Sequence, residues 1–255
     1  MPVPAMKAIT TVGIVGAGFL GSAIAYDLSM HGVRVILYDR SPDTTTPDAL
    51  HSASYAMLQP LWRLGYIPQI MVGNAVKNIV GVHTLEALAA QNPQLIIECI
   101  PEDLDMKKQL FRQLEELVPS TTILGTSTIS LSVNDIAAGS LRPANVLGVR
   151  FFHPCVLIPF VELTVADTTS PDTAKRVESY LSTVHKTCSY GPTRRVLNVR
   201  PYLSSYSSCV LVSQRADVND FQLEQSKALG FYHDSIPMAR PVTTTTTSPP
   251  RSHHH

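Results

Sequence analysis

Thr11-Val12-Gly13-Ile14-Val15-Gly16-Ala17-Gly18-Phe19-Leu20-Gly21 is the stretch that decides the fold. Its β-branched start reads as a buried strand. The strand ends at Gly16-x-Gly18-x-x-Gly21, and Ser22 to His31 reads as a helix stopped by Gly32. Val33 to Tyr38 reads as a second strand, closing on Asp39. Strand, glycine turn, helix, strand and acid make one βαβ unit, the setting in which three spaced glycines point to a dinucleotide. Gly16 permits the tight turn, Gly18 lets a pyrophosphate approach the backbone, and Gly21 lets helix and strand pack closely. The pyrophosphate rests on free N–H groups at the helix start, so Gly16, Ala17, Gly18, Phe19, Leu20 and Gly21 are the expected cofactor contacts. Asp39 follows Gly21 by 18 residues, where a carboxylate accepts from ribose hydroxyls and repels a 2′-phosphate. This favours NAD over NADP, although the cationic neighbour Arg40 pulls the other way. The plainer alternative is a glycine-rich turn with packing duties only.

Working outward, strand and helix patterns alternate. Ala49 to Leu64 reads as a helix with Gly65 as its C-cap and Pro60 as a kink or interruption. Ile79–Val82 and Gln94 to Ile100 read as strands. Pro101 reads as the first helical position, with Glu102, Asp103 and Asp105 in the first turn complementing the dipole. Thr121 to Gly125, Val146 to Phe152 and Pro159 to Val165 follow as strands, with helices over Ser132 to Ala138 and Thr173 to Val184. The alternation predicts an α/β fold: a Rossmann-like doubly wound, mostly parallel sheet. After Gly191 only helical candidates remain, giving a short all-helical segment. The expected organisation is a dinucleotide domain over 1–195, helices over 196–240 and a low-complexity tail over 241–255. The terminal histidines read as native or as an appended tag before they read as a metal site.

Composition narrows the partners. The 255 residues carry 20 basic and 20 acidic side chains, and 44% are hydrophobic. That content rules out disorder for the bulk of the chain and allows a substantial core. Sparse, balanced charge offers no field for a phosphate backbone, so nucleic acid is not an expected partner. No apolar run approaches the roughly 20 residues of a membrane span. Cys99, Cys155, Cys188 and Cys209 form no Cys-x-x-Cys pair, which points away from a zinc site and toward a reducing compartment.

Two further segments are more specific. Ile96-Ile97-Glu98-Cys99-Ile100-Pro101-Glu102-Asp103-Leu104-Asp105-Met106-Lys107-Lys108-Gln109-Leu110-Phe111 and Arg150-Phe151-Phe152-His153-Pro154, with Val161-Glu162 downstream, closely resemble the 3-hydroxyacyl-CoA dehydrogenase family. The resemblance runs without gaps from Glu98 to Glu162 and more loosely from Thr11 to about Pro241. It implies a Rossmann-like NAD domain, then a helical domain that dimerises and closes over substrate. The implied reaction is oxidation of the 3-hydroxyl of acyl-CoA thioesters by hydride transfer to NAD. It also implies that Glu102 and Lys107 contact the nicotinamide ribose; read alone, both fit a solvated helix start. Without a presequence the cytoplasm is the default compartment, and the resemblance keeps the mitochondrion open.

The chain departs from the family where the chemistry is done. The family pairs a His with a Glu, written His-Phe-Phe-Asn-Pro, so that an oriented imidazole takes the hydroxyl proton. Here the Glu is Glu162, but Arg150 stands in the position of the His. An arginine stays protonated and cannot be the base. His153 stands in the position of the Asn, readable as a pocket residue or as a relocated base. The family's Ser-Asn-Thr-Ser-Ser-Leu reads Thr126-Ser127-Thr128-Ile129-Ser130-Leu131, so a serine that contacts substrate and cofactor becomes Ile129. Asn198 is the nearest candidate for the family's second-domain asparagine, and that domain is short. Three readings stand: a catalytically degenerate NAD-binding subunit of a larger assembly, an active NAD-dependent dehydrogenase of 3-hydroxyacyl-CoA or a small hydroxy acid, and an NAD-binding sensor.

Overall fold

The computed structural model describes residues 8–191. Asn198, the helical segment expected over 196–240 and the tail lie outside them. In chain order the elements are β1 (Thr11–Val15), α1 (Phe19–Met30), β2 (Arg34–Tyr38), α2 (Pro47–Arg63), α3 (Gln69–Asn74), β3 (Ile79–Val82), α4 (Leu85–Ala89), β4 (Leu95–Glu98), α5 (Leu104–Leu117), β5 (Ile123–Thr126), α6 (Val133–Ala137), β6 (Val146–Phe151), β7 (Phe160–Val165), α7 (Pro171–Thr183) and β8 (Thr187–Gly191). The strands form one sheet in the order β3-β2-β1-β4-β5-β6-β7-β8. All neighbours are parallel except β6 and β7. The Rossmann-like expectation holds.

Alternation along the strands builds a core on each face. Val12, Ile14, Leu95 and Ile97 pack with Ala23 and Leu28 of α1 and Val177 and Leu181 of α7. Ile36, Ile96 and Leu124 point the other way, against Leu88 of α4, Leu110, Phe111 and Leu114 of α5 and Ile136 of α6. A third cluster, Tyr26 with Leu58 and Val72, covers the outer side of α1 with α2 and α3. Helix α1 is therefore enclosed, and its run from Gly21 to Ser29 is buried throughout. A helix apolar all round is a core helix.

Local chemistry explains most boundaries. Thr46, Thr84, Asp103, Ser132 and Ser170 each cap a helix by accepting the N–H of the residue three further on. Pro60 does not interrupt α2. It is exposed, and so is Ala56, whose carbonyl loses its helical partner to the proline and is open to water. Two starts differ from the sequence reading. Helix α1 begins at Phe19, not Ser22, so Gly21 lies inside it. Helix α5 begins at Leu104, not Pro101, because the Asp103 carboxylate accepts the Met106 N–H and fixes the first turn there. Pro101 and Glu102 thus lie in the loop after β4. Strand β8 and helices α3 and α4 are not expected from the sequence; β8 is short and mostly exposed, without an apolar run to mark it.

Candidate functional site

Strand order reverses between β1 and β4, and the carboxyl ends of the strands meet there. Such a switch point is where doubly wound sheets bind ligands. The glycine turn leaves β1, Asp39 ends β2, Glu102 follows β4, and residues 127–131 follow β5. Arg150 on β6 and Glu162 on β7 are direct cross-strand partners.

The three glycines divide their duties unequally. Gly16 has φ +105°, and a Cβ there would lie 2.8 Å from the Cys99 carbonyl oxygen. A Cβ at Gly21 would lie 1.9 Å from the Gly16 carbonyl oxygen. Both are required by the protein itself. Gly18 is not: its backbone is extended, and a Cβ there would meet nothing within 4 Å. It is also the N-cap of α1, with no side-chain cap. An open glycine at an uncapped helix start leaves room for an anionic group to reach the N–H groups. Phe19 beside it is 65% exposed. Asp39 binds the Ala17 N–H at 2.8 Å through Oδ2 and the Ser41 N–H at 2.9 Å through Oδ1. Each carboxylate oxygen keeps further lone-pair capacity for ribose hydroxyls. The residues present fit a dinucleotide.

The second half of the site is a loop held from both sides. Glu102 Oε1 accepts from the Thr128 hydroxyl (2.6 Å), the Ile129 N–H (2.8 Å), the Ser130 N–H (2.7 Å) and hydroxyl (3.0 Å), and the Leu131 N–H (3.3 Å). Successive N–H groups converging on an anion form a nest. Burial acts to raise the Glu102 pKa, but the Ser130 N–H, the Thr128 hydroxyl, the Ile129 N–H and Lys107 outweigh it and hold it at about 2. Arg150 holds the carbonyl side: Nε and Nη2 donate to the Thr128 oxygen, and Nη2 reaches the Ile129 oxygen at 3.4 Å. Its Nη1 donates to Glu162 Oε1 at 3.1 Å. Glu162 is buried, and a Cβ at Gly191 on β8 would lie 2.6 Å from its carboxyl group.

Lys107 is not at a solvated helix start. It is fully buried, with Nζ 2.5 Å from Glu98 Oε1 and 3.5 Å from Glu102 Oε2. Glu98, also fully buried, accepts from the Ile100 N–H and the Thr126 hydroxyl besides. A buried pair survives only when its remaining valences are satisfied, as here. Ile129, at the serine position, is 53% exposed.

His153 lies beyond the end of β6, so strand alternation does not set its direction. Its ring packs against Phe19 with centroids 4.3 Å apart. Its Nδ1 is buried without a hydrogen-bond partner, and burial pushes its pKa below the ordinary histidine value. The structure thus brings together the glycine turn, Phe19, Asp39 and His153, and separately Glu102, Lys107, Ile129, Arg150 and Glu162 around one loop. Sequence reasoning missed Glu98 and Thr126 as supports of Lys107, and Thr128 as the pivot shared by Glu102 and Arg150. Among the described residues no group of three metal-ligating side chains converges.

Fold and site together define a dinucleotide-binding domain of the doubly wound class. The 3-hydroxyacyl-CoA dehydrogenase NAD-binding domain matches residues 11–189, and the chain belongs to that family, with NAD as cofactor. It is 33% identical over 171 residues to 3-hydroxyadipyl-CoA dehydrogenase of Escherichia coli, a match that takes in 66% of this chain and 35% of that protein. The chain thus spans about a third of the length of this curated relative. Among solved structures, FadB2 of M. tuberculosis superposes with a TM-score of 0.69 at 27% identity, covering 89% of this chain and 80% of that one. The 3-hydroxybutyryl-CoA dehydrogenase of E. coli superposes at 0.68 and 26% identity, covering 86% and 44%. Among the described residues no helix is long and apolar enough to cross a membrane.

Proposed function

We propose that this chain binds NAD(H) as a 3-hydroxyacyl-CoA dehydrogenase-like protein that has lost the family's proton transfer and serves as a binding or structural subunit of a larger assembly. One observation carries the reading: Arg150, which the resemblance sets in the position of the family's base, has its guanidinium on Glu162 and on the Thr128 carbonyl. Bound NAD would supply a hydride acceptor at the nicotinamide. The chain's own groups do the rest. The α1 N-terminus and Asp39 hold the dinucleotide, Glu102 and Arg150 fix the loop that borders it, and Lys107 supports Glu102 from beneath. No group at Arg150 can take the hydroxyl proton, because a guanidinium stays charged. Acyl-CoA remains the substrate class in view, from the names of the relatives.

The decisive experiment measures NADH binding and NADH oxidation with acetoacetyl-CoA on the same preparation. Binding without turnover supports the proposal; turnover at ordinary enzymatic rates overturns it. Loss of general-base catalysis alone is expected to cost about 10²–10⁴-fold.

A second reading rests on His153. Burial disfavours its charged form, it packs on Phe19 at the cofactor turn, and its Nδ1 is unpartnered. These are properties of a base, and they favour an active dehydrogenase with a relocated imidazole. Turnover that His153→Gln abolishes while NADH affinity is retained would establish that reading in place of the first.

A further inference from the structure

The loop between β6 and β7, residues 152–159, joins the strand of Arg150 to the strand of Glu162 and carries His153. It meets α1 once directly and once through Lys186. At the front, His153 packs on Phe19, the first residue of α1. Behind, Lys186 Nζ donates to the Cys155 carbonyl at 2.7 Å, reaches the Ile158 carbonyl at 3.4 Å, and lies 2.8 Å from Asp27 Oδ2 of α1. Asp27 is fully buried and Lys186 is 5% exposed. His31 Nδ1 lies 3.6 Å from Asp27 Oδ1, and the buried Tyr180 hydroxyl borders the same cluster.

Two charges in this core are a costly way to obtain stability, since apolar side chains of similar volume do as well or better. What the ammonium adds is directional. It gathers two loop carbonyls and one helix carboxylate at a single point, which an apolar side chain does not do. The eight helical steps from Phe19 to Asp27 rise about 12 Å, so the two attachments are far enough apart to fix the loop's angle as well as its position.

We propose that Lys186 and Asp27 form a buried positioning bridge that locks the β6–β7 loop, and with it His153, onto the helix that receives the dinucleotide. The proposal rests on the NAD-binding reading for its role, but its geometry has a test of its own.

The test uses the full chain with Lys186→Met, Lys186→Arg and the double variant Asp27→Leu with Lys186→Met. The double variant removes both charges, so it is expected to fold even where Lys186→Met alone does not. Two readouts are taken: NADH affinity by fluorescence titration, and the His153 titration midpoint by NMR. If the bridge orders the loop, releasing it lowers the binding-competent fraction and raises the NADH Kd about tenfold in the double variant. The His153 midpoint should move up toward that of an exposed histidine, and Lys186→Arg should recover part of both changes. A folded double variant with unchanged Kd and unchanged His153 midpoint overturns the proposal. If the unaltered chain binds no NADH, the NAD-binding reading fails, and the His153 midpoint alone still decides whether the bridge positions the loop.

Discussion

Arg150 is the residue on which the functional reading turns, and its role is more than the absence of a histidine. Its guanidinium ties β6 to Glu162 and to the carbonyls of the loop after β5. Arg150→His alone therefore restores an imidazole but removes the loop's anchor. We expect Arg150→His with Ile129→Ser to give measurable acetoacetyl-CoA reduction, and the single Arg150→His to give less; equal rates would show that the serine does not matter. Glu102 makes a pH prediction. Its folded pKa of about 2 lies below the ordinary 4.5, so its contribution to stability is present above about 4.5 and is lost as pH falls toward 2. Glu102→Gln should flatten the melting temperature across that interval, as read by circular dichroism; an unchanged acid limb would contradict the assignment. Lys107 is enclosed with Glu98, so Lys107→Met leaves a buried carboxylate unpaired. A loss of about 3–5 kcal/mol in denaturant unfolding is expected.

Gly21→Ala drives a Cβ to 1.9 Å from the Gly16 carbonyl and should destabilise the fold by about 1–3 kcal/mol or more. Gly18→Ala meets open space, so folding should survive with at most about 1 kcal/mol lost at the cap. Its cost should appear as weaker NADH binding. Calorimetric unfolding beside NADH titration separates the two, and a Gly18→Ala variant with full affinity would argue that no pyrophosphate approaches there. Elements of this kind were legible in the sequence because their signals are local: a β-branched run, three spaced glycines and an acid after the second strand. The start of α5 was not. Pro101, Glu102, Asp103 and Asp105 all satisfy helix-start preferences, and only the Asp103 bond to Met106 selects among them. That one choice moves Glu102 from a dipole role to the anion at the centre of a nest. Strand β8 was unreadable because its identity comes from pairing with β7, not from its own residues.

At the scale of the whole molecule, ligand binding and stability are linked. NADH at about 100 times its Kd should stabilise the fold by about 2.7 kcal/mol, visible as a rise in melting temperature, provided it binds only the folded chain. Gly18→Ala should blunt that rise. The sequence by itself determined the family, the doubly wound class of the sheet and the cofactor turn, because these rest on periodicity, glycine geometry and side-chain charge over short spans. It also marked Arg150 and Ile129 as departures, since a residue type that cannot carry a proton is visible without coordinates. Only the tertiary structure decided what those residues do instead. Lys107 reads as a surface lysine until Glu98 of β4, itself held by Thr126 of β5, is seen to pair with it in the core. Asp27 and Lys186 are distant in sequence and meet only because α1 and the start of β8 pack on the same side of the loop after β6. Hydrogen bonds and ion pairs act over a few ångströms, and which groups come that close is set by how the sheet and its helices pack.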